Sequence, residues 1–380
     1  MYTVLDYGRM ADDGVRMDAY ARAIARVVRP GSTVLDLGAG TGIFTLLALR
    51  AGAKRVHAVE PNPAVFLLPE LAAANGASEG IVVHSTTSFD VTLPEPVDVV
   101  ISDMRGALPL NDDHIDAVRD ARARLMRPGG TLLPARDRLF VAPVESHDLW
   151  RAFARCWESF ERLGVDARAA RTSILNGFYG DAKAPVCASN MLAPGAVWGE
   201  LDYATTNGEP LEGTVEVVVT RAGIVHGLSL WFEATVHGDI GYSTEPGSQL
   251  TYGRAFLPLL EPVPVRHGDR FRVTVRADAR GTRWAWDTEI THADGGLWKA
   301  RQSTFLGTPT APEALLRSSP MHAPRRSPDG ERVLEVLRAF DGTATTAQIA
   351  ERLAASHPRG ALDARRALEE VQRLVADYGA

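Results

Sequence analysis

Val34-Leu-Asp-Leu-Gly-Ala-Gly-Thr-Gly-Ile43 is a short apolar run that ends in an acid and breaks into glycines before turning apolar again. That order predicts a strand, a tight turn through Gly38, Gly40 and Gly42, and a helix opening at Ile43. Glycine is needed there because the backbone turns sharply and a ligand must lie against it with no Cβ in the way. A second strand, Arg55-Val-His-Ala-Val59, follows and ends at Glu60. An acid at that strand tip, about 20 residues after the glycines, is placed to accept both hydroxyls of a ribose. The stretch lacks the later glycine that a dinucleotide fingerprint sets against a pyrophosphate, and no Gly-Lys-Ser/Thr phosphate loop accompanies it.

Asp36, two residues before the first glycine, completes a pattern that resembles class I methyltransferases. The resemblance implies S-adenosylmethionine as cofactor and S-adenosylhomocysteine as product. Methionine would lie over the turn formed by Asp36, Gly38, Gly40 and Thr41, with the ribose on Glu60.

At 380 residues the chain exceeds one usual domain, so two or three are expected. The formal charge of −6 gives no basic footprint for nucleic acid, and the three lysines are Lys54, Lys183 and Lys299. Cys156 and Cys187 match no metal or redox spacing, which suits a reducing compartment and predicts no metal. Neither an apolar membrane-length run nor a signal pattern is evident, so a soluble cytoplasmic protein without membrane partners is expected.

Residues 13–28 predict an amphipathic helix with Val15, Ala19, Ile24, Val27 and Val28 on or near one face. Further strands are expected at 80–84, 97–102 and 131–133, with a helix from about Asp112 to Met126. Strands alternating with helices specify a Rossmann-like, doubly wound parallel sheet whose ligands sit at the strand carboxyl ends. Beyond Pro134 the pattern changes. A strand at 138–142 and a helix at 148–163 precede alternating runs at 214–219, 227–236, 269–275 and 283–286, the grammar of an antiparallel barrel or sandwich. Residues 307–330, rich in Pro, Ser and Arg, read as a linker before terminal helices in which Thr345 is a candidate N-cap.

A methyltransferase sheet followed by a β-barrel resembles the protein arginine methyltransferases. Met10, Asp13, Val15 and Arg16 reproduce that family's N-terminal Met-Leu-x-Asp-x-x-Arg pattern. The resemblance implies that Met10 and Arg16 contact the cofactor, with Arg16 on its methionine carboxylate, a task for which a guanidinium fork is suited. Ser102-Asp-Met-Arg-Gly106 matches the family's Ser-Glu-Trp-Met-Gly, and Leu125–Pro134, Trp231-Phe232, Gly241–Thr244 and Thr251 match further on. Residues 146–195 fall where the family carries its dimerisation arm, which implies a homodimer. The domains expected are thus 1–30 over the cofactor, 31–135, 136–306, the linker, and 331–380.

The departures bear on the acceptor. The family grips a guanidinium between two glutamates; here the first position is Asp103 and the second Asp112, with Asp113 adjacent. Each carboxylate is one methylene shorter, so the pocket would be wider. The family's Thr-His-Trp loop is Thr251-Tyr252-Gly253, which makes Tyr252 the candidate substrate contact. The glutamate that binds adenine aligns with Phe89, leaving Ser88 and Phe89 as the candidate adenine contacts. A guanidinium needs strong help to present a lone pair, whereas an α-amine titrating near about 8 needs only orientation and a proton acceptor. Asp103 and Asp112 therefore predict an amine acceptor on a peptide or protein. Arginine, a small-molecule amine or an oxygen are the alternatives. Asp112 and Asp113 also sit where a helix start favours acid, and His114 reads as a solvated helix residue.

The helices from 331 to 380 are similar to PqqD-like peptide-recognition domains of ribosomal-peptide biosynthesis and to winged-helix modules. With nine arginines and nine acids from Arg325 onward, this segment is not a DNA-binding module. It would dock a ribosomally made peptide or act as a structural cap.

Overall fold

The computed structural model describes residues 2–77, 79–180, 186–356 and 363–379. Part of the expected arm, 181–185, lies outside them. Contacts divide the chain into two compact units, 1–309 and 310–380.

The first unit opens with α1 (Val4–Ala11), capped by a reciprocal Thr3–Asp6 box, and α2 (Gly14–Val27), capped by Asp13. The remaining elements of the sheet domain are β1 (Thr33–Leu37), α3 (Ile43–Arg50), β2 (Arg55–Val59), α4 (Leu68–Ala74), β3 (Ile81–His84), β4 (Val97–Ser102), α5 (His114–Asp120) and β5 (Met126–Leu133). The parallel sheet has the order β3-β2-β1-β4-β5. β1 is buried along its whole length, as is most of β4, which is why both read as continuous apolar runs. The strand order switches sides between β1 and β4, which run parallel with Leu37 opposite Ser102. The crevice at that switch point is where a doubly wound sheet takes its ligand.

The antiparallel half comprises β6 (Arg136–Val144), α6 (His147–Ala154), α7 (Arg168–Leu175), β7 (Ala196–Asp202), β8 (Leu211–Val218), β9 (Gly223–His237), β10 (Ile240–Ser243), β11 (Ala255–Val265), β12 (Arg270–Ala277), β13 (Trp284–Thr291), β14 (Leu297–Ser303) and α8 (Thr304–Gly307). The long β9 pairs with β6, β10 and β11, and β14-β13-β12-β8 form the facing sheet. Together they make the antiparallel barrel, sharing one apolar core with the parallel sheet through Leu139, Phe232, Val273 and Trp286.

Several boundaries differ from expectation. The helix after Asp113 ends at Asp120, widens through a π-turn at Ala121–Leu125, and gives way to β5 at Met126, which already pairs with Val97. The helix expected at 148–163 is α6 followed by a 3₁₀ stretch, Arg155–Leu163. Three residues per turn bring Trp157 and Phe160 onto one side, stacked at 5.2 Å. Val15 is 57% exposed, so the buried face of α2 is carried by Ala19, Tyr20, Ala23 and Ile24.

In the second unit, α9 (Pro312–Arg317) occupies part of the expected linker, since Pro312 begins a helical turn. Then come α10 (Pro328–Arg338), α11 (Thr346–Ser356) and α12 (Ala364–Tyr378). Thr345 caps α11 as expected, its hydroxyl accepting from Gln348 N–H while the Gln348 amide oxygen accepts from Thr345 N–H. Val336, Ile349, Leu353, Val371 and Leu374 form a separate small core. Among the described residues this unit holds helices and no strand.

Candidate active site

The glycine turn between β1 and α3 has φ of +73°, +55° and +88° at Gly38, Gly40 and Gly42. A Cβ on Gly40 would lie 2.7 Å from the Tyr7 ring of α1, so the N-terminal helix covers this turn closely. Glu60, 7% exposed, accepts from Gly40 N–H at 2.9 Å and from Asn62 N–H at 2.8 Å. Asp36 accepts from the Thr45 hydroxyl at 2.7 Å through one oxygen only. Burial pushes the Asp36 carboxyl up to about 6, against the opposing Thr45 hydrogen bonds.

Three buried polar atoms around the crevice have no hydrogen-bond partner: Asp36 Oδ1, Ser88 Oγ and Ser102 Oγ. Unpaired buried polar atoms are costly, so such atoms beside a bare glycine turn fit a ligand that brings its own donors and acceptors. S-adenosylmethionine does so through its ammonium, carboxylate, ribose and adenine. Its chemical contribution is a methyl group on an activated sulfonium. Thr41 is half-buried on the same turn. Ser88 and Phe89 lie in the turn after β3, where Phe89 is 45% exposed and both backbone carbonyls accept from Arg124.

The tip of β4 carries a buried cluster of charges. Asp103 accepts from Arg16 at Oδ2, and from Arg105 (2.8 Å) and the Tyr252 hydroxyl at Oδ1. Burial raises its carboxyl, but Arg105, Arg16 and the Tyr252 hydroxyl outweigh this and hold it below its ordinary value. Arg16 also donates to the Met10 carbonyl, and its backbone N–H donates to Asp13. The other Asp13 oxygen accepts from Thr251 N–H at 2.8 Å, which ties α2 to the loop bearing Tyr252. Arg16 of α2 and Tyr252 of the barrel loop thus meet at Asp103. Asp112 does not join them: it is exposed, in a left-handed conformation (φ 44°), just before α5. Asp113 pairs with Arg280 at 3.1 Å in solvent.

Two members of the cluster went unread in the sequence. Arg105 is fully buried and donates through Nε and Nη2 to both oxygens of Asp137 (2.8 and 3.0 Å). Its Nη1, with two hydrogens, lies 2.8–3.0 Å from the oxygens of Tyr20, Asp103 and Tyr242, which share them. Asp137, on β6, also accepts from the Tyr203 hydroxyl at 2.6 Å. A signal for Arg105 existed, since it stands where the resembled motif has methionine. Asp137 had only its position on a strand face.

His114 corrects the solvated reading: it is 2% exposed, with Nε2 2.9 Å from the Tyr203 hydroxyl. Burial, aided by Arg105, drives its pKa down to about 3. Below its unfolded value near 6.5 the unfolded chain gains a proton that the folded chain refuses. Folding stability is therefore expected to fall by about 1.4 kcal/mol per pH unit from this residue between those values. Urea melts at pH 7.5 and 5.5 check this. The loss should shrink in His114→Asn, and equal melts for the native chain at both pH values would contradict it.

A doubly wound sheet with this crevice, an acidic strand tip and a barrel closing over it defines an S-adenosylmethionine-dependent methyltransferase. The ribosomal protein L11 methyltransferase (PrmA) family model matches residues 20–129. An arginine N(omega)-methyltransferase of Streptomyces achromogenes subsp. streptozoticus is 31% identical over 269 residues, 68% of this chain and 72% of the relative. The chain therefore belongs to the arginine N-methyltransferase family. A probable histone-arginine methyltransferase CARM1 of Oryza sativa is 29% identical over 261 residues, and the chain spans about half (49%) of that relative's length. Arabidopsis thaliana protein arginine methyltransferase 10 has the same fold, with a TM-score of 0.68 at 23% identity over 80% of this chain and 98% of that one. The Trypanosoma brucei PRMT1 enzyme-prozyme heterotetrameric complex with AdoHcy gives 0.66 at 21% identity, over 78% and 97%. The enzyme is thus an N-methyltransferase of arginine-methyltransferase architecture. No helix among the described residues is long and apolar enough to cross a membrane, and no group of three or more metal-ligating side chains occurs among them.

Proposed function

We propose that this enzyme moves the methyl group of S-adenosylmethionine to an amine nitrogen on a peptide or protein. The supporting observation is Asp103, a buried carboxylate at the β4 tip held ionised by two arginines. Methyl transfer from a sulfonium is an in-line displacement, so the protein's main task is to align a nitrogen that carries a lone pair. Arg16 would exchange part of its grip on Asp103 for the cofactor carboxylate, Glu60 would take the ribose, and Asp36, Gly38, Gly40, Thr41 and Met10 would line the methionine end. Ser88 and Phe89 would flank the adenine, with Asp103 and Tyr252 facing the acceptor. Asp112 would act at the rim.

The relatives named for arginine favour a second reading, transfer to a guanidinium nitrogen. Incubation with labelled cofactor and two peptides separates the readings: one with a free α-amine and no arginine, the other N-blocked and arginine-rich. Fragment masses place the added methyl on the α-amine under the first reading and on arginine under the second.

The helices of the second unit would dock a ribosomally made peptide for tailoring. Removing residues 310–380 is expected to preserve methyl transfer to a short amine and to weaken a full-length peptide by about tenfold or more, as loss of a tethered second contact does. Unchanged peptide KM would contradict the docking role. A homodimer through the arm is supported by exposed apolar side chains on both faces it would join: Phe160, Leu163 and Val165 on the arm, and Val4, Leu5 and Phe66 on the sheet domain. A cytoplasmic enzyme without nucleic-acid partners is proposed with it; the formal charge of −6 supports the second part.

A further inference from the structure

We infer that Arg105 is a positioning residue for methyl transfer: clamped by Asp137, it holds one oxygen of Asp103 and stays there as counter-charge when Arg16 turns to the cofactor. The inference rests on Asp103 as the acid that faces the acceptor. It is the same for an amine and for a guanidinium nitrogen.

The two arginines at Asp103 are held in different ways. Arg16 lies on α2 with its side chain 8% exposed, and it donates to Asp103 Oδ2 and to the Met10 carbonyl. Its Nε has no hydrogen-bond partner and stands 3.8 Å from Asp13. A cofactor carboxylate can replace such contacts. Arg105 has no such freedom. Its side chain is fully buried, and Nε and Nη2 meet both oxygens of Asp137. Asp137 is itself fixed by the Tyr203 hydroxyl, whose oxygen lies 2.9 Å from His114 Nε2. A guanidinium is planar and rigid, so the bidentate pair sets where Nη1 points, 2.8 Å from Asp103 Oδ1.

One carboxylate is thereby divided between a fixed side and an exchangeable side. Arg105 and the Tyr252 hydroxyl meet Oδ1, and Arg16 meets Oδ2. Once Arg16 engages the cofactor, Oδ2 is open to an N–H of the acceptor while Oδ1 remains held. Burial works to raise the Asp103 carboxyl, and Arg105, ahead of Arg16, brings it below its ordinary value. The other titratable groups around it supply no positive charge in exchange. His114 is held down to about 3, burial keeps the hydroxyls of Tyr20, Tyr203, Tyr242 and Tyr252 neutral, and Asp13 and Asp137 are acids. The resembled motif has methionine where Arg105 stands, so this counter-charge belongs to the chain and accompanies its shorter acid.

The test uses the whole chain and whichever of the two peptides the native enzyme methylates. Arg105→Met/Asp137→Ala removes the buried pair together and so strands no charge. Its kcat at saturating cofactor is expected to fall by about 10²-fold, with the Kd of S-adenosylhomocysteine within about threefold of native. Arg105→Lys keeps a charge without the fork and should lose about tenfold. A second readout needs no turnover. With aspartate carboxyls labelled with carbon-13 and S-adenosylhomocysteine bound, the Asp103 signal is assigned by its loss in Asp103→Asn. It should report an ionised carboxylate from about pH 8 to about 5.5 in the native enzyme, and take up a proton within that range in the double variant. A merely structural role would lower turnover and leave this titration unmoved. Native kcat in the variants, or an ionised signal throughout in the double variant, would overturn the inference. Should the double variant not fold, native kcat in Arg105→Lys overturns it alone. If neither peptide is methylated, the titration decides. Native turnover in Asp103→Asn would sink the reading of Asp103 itself, whereas an inactive Asp103→Asn beside unaffected Arg105 variants would sink only the role given to Arg105.

Discussion

Asp103→Asn is expected to lower methyl transfer by about 10²-fold or more while the cofactor is still retained. The carboxylate is the anionic link between Arg16 on α2 and Arg105 in the loop after β4, and its side chain is only 4% exposed. An amide can keep one oxygen toward Arg105 and Tyr252, but its NH₂ then faces the Arg16 guanidinium, donor against donor. Arg16 would swing, and an incoming amine would lose its orientation. Breaking a buried pair by removing one charge costs about 3–5 kcal/mol in general, so a lower melting temperature is expected too. Assays run well below the variant's own melting point separate the two effects. Native turnover in Asp103→Asn would show that methyl transfer does not depend on this carboxylate.

Gly40→Val should abolish cofactor retention and, with it, all measurable turnover. At φ +55° a β-branched residue is strained by about 1–3 kcal/mol, and its Cβ would meet the Tyr7 ring at 2.7 Å. The added methyl groups would crowd both the N–H that bonds Glu60 and the covering helix α1. Gly76→Val is the control: φ is +65° there, yet nothing lies within 4 Å of an added Cβ. The control carries the backbone strain without touching the turn, and its turnover should stay near native. Equal losses in the two variants would mean strain alone, and no cofactor contact at Gly40.

What was legible in the sequence follows from range. β1, β2 and β4 are buried runs whose period and glycine punctuation are local, so the glycine turn and Glu60 were read directly, while Asp36 and Asp103 were read through resembled motifs. The N-terminal contacts were found only through a resembled motif, since nothing local distinguishes Arg16 from a solvated helix arginine. Arg105 and Asp137 escaped because their pairing spans 32 residues and joins the parallel sheet to the barrel. Each alone reads as a surface charge. His114 was misread for the same reason: its partner Tyr203 lies 89 residues away. α1 did not stand out as a separate helix because it is eight residues long and has no buried residue.

All of this depends on the crevice between β1 and β4 holding the methyl donor. Equilibrium dialysis of the whole chain against labelled S-adenosylmethionine tests that most directly. The account predicts about one molecule retained per chain, displaced by S-adenosylhomocysteine and lost in Gly40→Val. Retention no greater than that of Gly40→Val would contradict it.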